Sequence, residues 1–296
     1  MAKSPVNASL VSADQSLVLG GVIATISSLI GRAGIENPET EARLLVSVAL
    51  SWPLEKVWRH MDEPICSKKR KKIRAAVQRR LGHEPLAYIS GKQEFWSLDY
   101  IVGKGCLIPR PDSECLIETA LQILQPDRCN ASILDLGTGS GCLLLSLLSE
   151  RSLVWGVGVD ISAEALRYAK HNASKLGLLN RAFFVRSDWG SCLGCGFDLI
   201  VCNPPYVESR EVSVLMPEVS RYEPVIALSG GRDGLDCYRL IAGRLSDILT
   251  RDGRICLEIG RGQASPVTQI MSKYGFRLCG ERKDLSGIVR CLVFSL

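Results

Sequence analysis

Along the first 90 or so residues apolar positions recur every three or four residues, and beyond residue 130 they gather into short apolar runs. The first pattern predicts amphipathic helices and the second buried strands alternating with helices. One helix is expected over Ser16 to Arg32. A second opens with Asn37 as N-cap, Pro38 at the first helical position and the acids Glu39 and Glu41 in the first turn. Ala42, Leu45, Val46 and Ala49 then follow at helical spacing, so this helix should pack on the first. A basic helix from Lys68 to Leu81 completes a small helical domain, with Pro85 and Gly91 marking its exit. Residues 1 to about 15 are polar and read as a frayed end.

Between Lys92 and Asp112 the pattern changes to aromatics and alternation. Phe95, Trp96, Leu98, Tyr100 and Val102 precede Gly103 to Gly105, and Leu107, Ile108 and Pro109 come after, which predicts a β-hairpin turning at the glycines. A helix is expected over Ser113 to Leu124. From Ser132 strands and helices alternate: Ser132 to Leu136, Cys142 to Glu150, Leu153 to Asp160, Ala163 to Leu176, Ala182 to Ser187, and Phe197 to Cys202. A loop, a helix over Leu235 to Thr250, a strand Arg254 to Ile259, a helix Ala264 to Tyr274 and two closing strands complete the chain. Such alternation builds a mostly parallel sheet covered on both faces.

Length and charge add to this picture. At 296 residues and 32.3 kDa, with 46% hydrophobic residues, the chain has material for two cores. Leu17 to Ile30 is interrupted by glycines and hydroxyls and is too short to cross a bilayer, and its flanks lack a signal-peptide pattern; a cytoplasmic protein without membrane contact is expected. The net charge of +5 sits wholly in residues 1–85, which carry 13 Lys and Arg against 8 Asp and Glu; the remainder carries 23 of each. Most of the excess comes from Lys68, Lys69, Arg70, Lys71, Lys72, Arg74, Arg79 and Arg80. Such a run is either a solvated helix face or an electrostatic dock for RNA or the ribosome. The 12 cysteines sit mostly singly in apolar runs, as small hydrophobes of a reducing compartment do. Cys192 and Cys195 have zinc-like spacing, but no second pair accompanies them, so no metal is predicted.

Candidate chemistry lies at four consecutive strand ends. Asp135-Leu136-Gly137-Thr138-Gly139-Ser140-Gly141 follows a strand and opens a helix, and its glycines allow a tight turn and close approach to a ligand. By itself such a loop serves a dinucleotide, a phosphate or nothing. No Lys-Ser/Thr follows it as in a P-loop, and Asp135 would repel a pyrophosphate; an acid here suits a ligand with a cationic head. The next strand ends at Asp160, 25 residues on, where a carboxylate accepts both hydroxyls of a ribose or helps start the next helix. The third ends at Asp188-Trp189, an acceptor for an exocyclic adenine amine and an indole to cover the ring. The fourth ends at Asn203-Pro204-Pro205-Tyr206. Two successive prolines cannot continue a ladder, so Asn203 and Tyr206 are displayed where open α/β sheets bind ligands; a plain Asn-Pro turn has the same sequence.

Together these residues resemble the class I S-adenosylmethionine-dependent methyltransferases, and the Asn-Pro-Pro-Tyr end is that of enzymes methylating planar nitrogens. With Glu94-Phe95-Trp96 and Leu107-Ile108-Pro109-Arg110-Pro111-Asp112 added, the chain is similar over nearly its whole length to the HemK/PrmC family of release-factor glutamine methyltransferases. The run Lys68 to Arg74 is denser in charge than the family pattern. The resemblance implies an α/β fold with a Rossmann-like, mostly parallel sheet: a helical substrate-recognition domain over residues 1–90, a β-hairpin linker over 91–112 and the methyltransferase domain over 113–296. It implies S-adenosylmethionine as cofactor, held by Asp135, Gly137, Thr138, Gly139, Ser140, Gly141, Asp160, Asp188, Trp189 and Asn203. The substrate would be the Gly-Gly-Gln glutamine of peptide chain release factors, held by Asn203, Pro204, Pro205 and Tyr206.

A carboxamide nitrogen is a poor nucleophile and no strong base is legible, so positioning and electrostatics must carry catalysis. Asn203 Oδ1 and the Pro204 carbonyl are expected to accept the two N–H groups of the substrate amide, with Pro205 and Tyr206 as walls. A monomer is expected, with no nucleic acid required. Two rivals are a ribosomal-protein glutamine methyltransferase and a DNA adenine amino-methyltransferase. The second clamps a flipped base with a similar tetrapeptide, but needs a basic target-recognition region that the neutral second part of this chain lacks. A non-catalytic binding module with the same fold would have no use for an intact Asn203.

Overall fold

The computed structural model describes residues 18–125, 130–194 and 196–296. The expected frayed start and Cys195 lie outside these residues. The chain divides into two compact units, Met1–Gly91 and Lys92–Leu296.

The first unit is helical: α1 (Leu19–Arg32), α2 (Pro38–Leu50), α3 (Leu54–Arg59), α4 (Ser67–Leu81) and α5 (Leu86–Ser90). Ile26 and Ile30 of α1, Leu45 and Val46 of α2, and Ile73 and Val77 of α4 form its buried core. The sequence pattern missed α3 and α5 because 6 and 5 residues are too few to display a helical period. Asn37 was expected to cap α2 with its side chain. Instead its backbone turns through the left-handed region at φ 50°, and the side chain makes no capping bond. The basic helix α4 is not uniformly solvated. Arg80 is 3% exposed and its Nε donates to Glu41 Oε2 at 2.8 Å, whereas Lys68, Lys71 and Lys72 face solvent.

The second unit begins with the hairpin β1 (Lys92–Phe95) and β2 (Leu98–Ile101). Its turn is Trp96-Ser97, both at positive φ (52° and 56°), as a two-residue hairpin of this twist requires. The glycines at 103–105, expected to form the turn, lie beyond the second strand, and Leu107 to Pro109 form no strand. A pair of non-glycine residues in left-handed backbone carries no turn signal, which is why the sequence pointed to the glycines. The hairpin is bolted to the sheet unit: Tyr100, fully buried, bonds its hydroxyl to Ser146 Oγ at 2.8 Å, and Trp96 Nε1 donates to Glu150 at 2.8 Å.

A short 3-10 turn (Pro111–Ser113) leads into α6 (Glu114–Ile123). Then come β3 (Ser132–Leu136), α7 (Cys142–Glu150), β4 (Trp155–Asp160), α8 (Ala163–Lys175), β5 (Ala182–Arg186) and β6 (Phe197–Cys202). The segment after β6, expected to be a loop, contains α9 (Pro217–Tyr222) between two 3-10 turns. The chain ends with α10 (Asp236–Ile248), β7 (Leu249–Glu258), α11 (Ala264–Lys273), β8 (Arg277–Lys283) and β9 (Val289–Ser295). The seven strands are ordered β5-β4-β3-β6-β7-β9-β8. The first five are parallel to one another, and β9 runs antiparallel to both β7 and β8.

Strand β3 is buried at all five positions because helices cover both faces of the sheet. The order reverses at β3: the chain goes from β3 outward to β4 and β5, then returns to β6 on its other side. The crevice outside the carboxyl ends of β3 and β6 is therefore the place where this architecture binds ligands. Close packing around β4 demands a glycine, since a Cβ on Gly156 would stand 2.5 Å from Leu144 Cδ1 and 2.9 Å from the Ile133 carbonyl oxygen. Gly156→Ala should cost about 1–3 kcal/mol of stability by overpacking, read as a lowered urea midpoint with an unchanged slope. A wild-type midpoint would mean that the strand pair has slack the structure does not show.

Candidate active site

A cavity of about 310 Å³ opens at this crevice, lined by the Gly loop, the ends of β4, β5 and β6, the segment Leu107 to Arg110, and residues 224–229. All of it belongs to the second unit.

The Gly loop is held from below. Gly137 and Thr138 both donate their N–H groups to the Val159 carbonyl at 2.9 Å, which straps the loop to the end of β4. Asp135 is fully buried; Oδ2 accepts from Thr138 Oγ1 at 2.6 Å and from the Leu144 N–H at 3.4 Å. Burial pushes this carboxyl up to about 7, while the Thr138 and Leu144 bonds pull it down. Asp135 and Gly141, both expected at the ligand, do not line the cavity. Asp135 shapes the loop from behind, whereas Gly137, Thr138, Gly139 and Ser140 line the cavity. Asn172 of α8 reinforces the loop from the hairpin side: Nδ2 donates to the Ser140 and Ile101 carbonyls, and Oδ1 accepts from the Ile101 N–H at 2.7 Å.

Asp160 lines the cavity with its carboxylate anchored on two main-chain donors, Gly139 at 2.9 Å and Ser162 at 2.8 Å. Each oxygen retains a lone pair for a ligand hydroxyl. Burial raises this carboxyl too, opposed by those same N–H groups. Ser162, not Asp160, caps α8, accepting from the Ala165 N–H at 3.1 Å. Asp188 is exposed at the rim, 3.6 Å from Arg244, and Trp189 follows in left-handed backbone at φ 47°. The Trp189 ring lies over the loop, for a Cβ on Gly137 (φ 73°) would come 3.7 Å from it.

At the end of β6, Asn203 and Pro205 line the cavity, while Pro204 and Tyr206 do not. Pro204 is buried. The Tyr206 ring turns under the sheet end and its hydroxyl donates to Glu258 Oε1 at 3.4 Å, so the expected aromatic wall is supplied by other residues. Those are Pro224, Ile226 and Ala227, in the stretch read as a loop. This stretch is tied to the site by Glu223, whose buried side chain accepts from the Ile108 N–H at 3.2 Å and pairs with Arg110. Ser113 also lines the cavity and accepts from Asn203 Nδ2 at 3.0 Å. Arg110 stood in the motif behind the family resemblance, which flagged the segment without assigning it a role. Glu223 and Ser113 carried no signal of their own.

The donor set suits S-adenosylmethionine: two carboxylates for ribose hydroxyls and an exocyclic amine, an indole over a glycine backbone, and an otherwise largely apolar wall. The slot between Gly137 and Trp189 is one that a Cβ would narrow.

Comparison with known proteins agrees with this geometry. Residues 22–91 match the family described as the PrmC N-terminal domain, and residues 113–218 match the methyltransferase small domain. The release factor glutamine methyltransferase of Rhodospirillum rubrum is 40% identical over 280 residues, covering 95% of this chain and 86% of its own. That of Agrobacterium fabrum is 39% identical over 285 residues, covering 93% and 99%. Among solved structures, the hMettl16 catalytic domain in complex with a MAT2A 3'UTR hairpin superposes with a TM-score of 0.54 at 16% identity, covering 68% of this chain and 76% of that one, a likeness of fold alone. With two relatives near two-fifths identity along almost its full length, and both of its units matched, the chain belongs to the release factor glutamine methyltransferase family.

Proposed function

We propose that this enzyme transfers a methyl group from S-adenosylmethionine to the side-chain amide nitrogen of the Gly-Gly-Gln glutamine in peptide chain release factors. The observation that carries the reading is Asn203, brought by β6 to the cavity wall beside the Gly loop, with Nδ2 engaged by Ser113 and Oδ1 left for a substrate. S-adenosylmethionine, when bound, supplies an electrophilic methyl carbon. Gly137 to Ser140 lend main-chain surface to hold it, Asp160 takes ribose hydroxyls, and Asp188 and Trp189 serve the adenine. Asp135 acts beneath the loop, shaping it through Thr138 and Leu144 from outside the cavity lining.

Asn203 Oδ1 and the main-chain carbonyl of Pro204, a residue that is itself buried off the cavity wall, accept the two N–H groups of the glutamine amide. Held by both hydrogens, the amide nitrogen loses part of its conjugation and its lone pair is aimed at the electrophile. Pro205 and Ile226 wall the planar group and help keep water out. The nitrogen sheds a proton once it has gained the methyl, and neither Asn203 nor the prolines can take it; solvent at the open mouth receives it. Nothing in this scheme asks for a strong base.

The helical unit serves recognition of the protein substrate. A clamp for one carboxamide cannot by itself distinguish one glutamine from another, so selection needs surface elsewhere.

Three measurements test this reading. Asn203→Ala should lower kcat for methylation of a purified release factor by about 100-fold, on the order of an oxyanion-hole donor, with S-adenosylmethionine affinity retained. Trp189→Ala should do the reverse, weakening the methyl donor by about tenfold, within the range of a base–aromatic stack, with a smaller effect on kcat. Wild type that binds the donor but leaves the factor's glutamine unmodified, or a fully active Asn203→Ala, would overturn the assignment. Removing residues 1–85 should raise KM for the intact factor far more than Kd for the donor; equal losses in both would indicate unfolding and remove the argument for a recognition unit.

A further inference from the structure

Two of the four residues at the end of β6 converge on one buried carboxyl that the mechanism above does not use. Glu258, the last residue of β7, is 2% exposed. Tyr206 donates its hydroxyl to Glu258 Oε1 at 3.4 Å. Asn203 Nδ2 donates to Ser113 Oγ at 3.0 Å, and the Ser113 hydroxyl in turn lies beside the Glu258 carboxyl. Glu258 Oε2 is buried and makes no hydrogen bond of regular geometry, so it is an open acceptor at the end of this chain.

We propose that Glu258 is a positioning residue: through the Ser113 hydroxyl it selects which way the Asn203 carboxamide faces, and so keeps Oδ1 turned toward the substrate amide. The inference rests on the reading of Asn203 as an amide acceptor and adds what holds it in that state.

A carboxamide can turn by half a rotation with almost no change of shape, exchanging an acceptor for two donors. With Nδ2 on Ser113, Oδ1 faces the cavity and can accept a glutamine N–H. In the opposite orientation the cavity would meet an NH₂ group, and two sets of donors would repel the substrate. Ser113 has a single proton to give. An ionised carboxylate only accepts, so Glu258 claims that proton and leaves the oxygen lone pairs of Ser113 to Asn203 Nδ2. Once protonated, Glu258 can donate to Ser113 Oγ instead. The Ser113 proton is then released to turn toward Asn203, and the inactive orientation becomes equally well satisfied. No atom is gained or lost besides the one proton taken up by Glu258 from solvent.

The surroundings put this exchange near neutrality. Burial pushes Glu258 up to about 7, against the Ser113 hydroxyl, the Arg290 guanidinium and the Tyr206 hydroxyl; Asp112 adds to the rise. Arg290 of β9 is shared with Asp112 and Asp284 at 3.0 Å each, which leaves it a weak counter-charge for Glu258. From α10, Tyr238 donates to the Glu258 main-chain carbonyl at 2.9 Å, and burial pushes its phenol well up. The facing thiols are likewise raised: Cys115 and Cys142 to about 12 and Cys202 well above its ordinary value, all through burial, and Cys291 through its bond with Cys256. The phenol and the thiols stay neutral at pH 7, so among these groups Glu258 is the one whose charge changes there; Asp135, raised to about 7 as well, sits beneath the Gly loop and keeps its titration in Glu258→Gln. Its folded-state value is raised, so the ionised, orienting form is present above about 7 and is lost as the pH falls through it.

The test uses the full chain and an intact release factor at saturating S-adenosylmethionine. Wild-type kcat should fall as the pH drops below about 7, and Glu258→Gln, which cannot titrate, should flatten that limb. Ser113→Ala should lower kcat about tenfold at pH 8, the size of one well-placed hydrogen bond, with donor Kd near the wild-type value. Ser113→Thr, which keeps the hydroxyl, should restore most of the rate. Adding Glu258→Gln to Ser113→Ala should cost little more, because the two act in series. With Asn203→Ala inactive, a wild-type kcat in Ser113→Ala or an unchanged acid limb in Glu258→Gln overturns the relay. So does a loss of donor affinity parallel to the loss of rate, the mark of a merely structural role. A fully active Asn203→Ala instead overturns the clamp reading beneath it.

Discussion

The parallel pairing of β3 with β6 is the constraint on which the site depends. Their register sets Asp135 against Val201 and Leu136 against Cys202, so Gly137 and Asn203 leave the sheet at the same level on adjacent strands. From there the chain diverges: the Gly loop crosses toward β4, strapped by the Val159 carbonyl, and the Pro-Pro segment turns to the β7 side. Shifting this ladder by one residue would reverse every side chain on the strand. It would also take Asp135 from beneath the loop and Asn203 from the cavity wall in a single step. Helices on both faces and an apolar strand interior make such a slip costly, and this rigidity holds the two halves of the site at hydrogen-bonding precision.

A second layer of restraint reaches the site from outside the sheet. Asn172 bridges the hairpin and the Gly loop through both ends of its carboxamide. Glu223 joins the segment after β6 to Ile108 and Arg110. Both contacts use buried polar groups with their partners in place, which specify one geometry where an apolar contact would tolerate several. The residues just beyond the hairpin therefore contribute a wall of the cavity, and the hairpin belongs structurally to the sheet unit.

How much of this was legible depended on the kind of signal. The alternating strands and helices from Ser132 to Cys202 were readable because apolar runs and Gly or Pro stops are strong, local and periodic. The hairpin's position within its segment was not, since Trp96 and Ser97 take the left-handed turn without a glycine. The cavity-lining glycines, Asp160, Asp188 and Trp189 could be picked out because they stand at strand ends, where topology makes position informative. Asp135 shows the limit of that logic: a strand-end acid looks the same in sequence whether it faces the ligand or the back of the loop. Tyr206 shows it again, as neighbours along a chain that leaves a strand point to opposite sides. Ser113 and Glu258 are 145 positions apart, and only the folded sheet makes them one chain of hydrogen bonds.

The two buried acids also bear on why carboxylates stand at these positions. Asp135 and Glu258 are both raised to about 7 by burial from ordinary values of 3.8 and 4.5. A raised folded-state value means that their stabilising contribution is whole below the ordinary carboxyl range and is lost as the pH climbs to about 7. At neutral pH the fold thus carries two partly ionised groups where amides of the same shape would titrate nothing. What an amide cannot do is accept with both of its polar ends. Asp135 takes both Thr138 and Leu144 on Oδ2 and leaves Oδ1 without a partner, so an asparagine would serve in only one of its two orientations, whereas a carboxylate serves in both. Glu258 accepts from the Tyr206 hydroxyl and has the Ser113 hydroxyl beside it, and a group that only accepts restricts where those protons point, where a glutamine would leave them open. The carboxylates lower stability at neutral pH, and in exchange the loop above Asp135 keeps a single geometry and, on the reading proposed for Glu258, so does the Asn203 carboxamide.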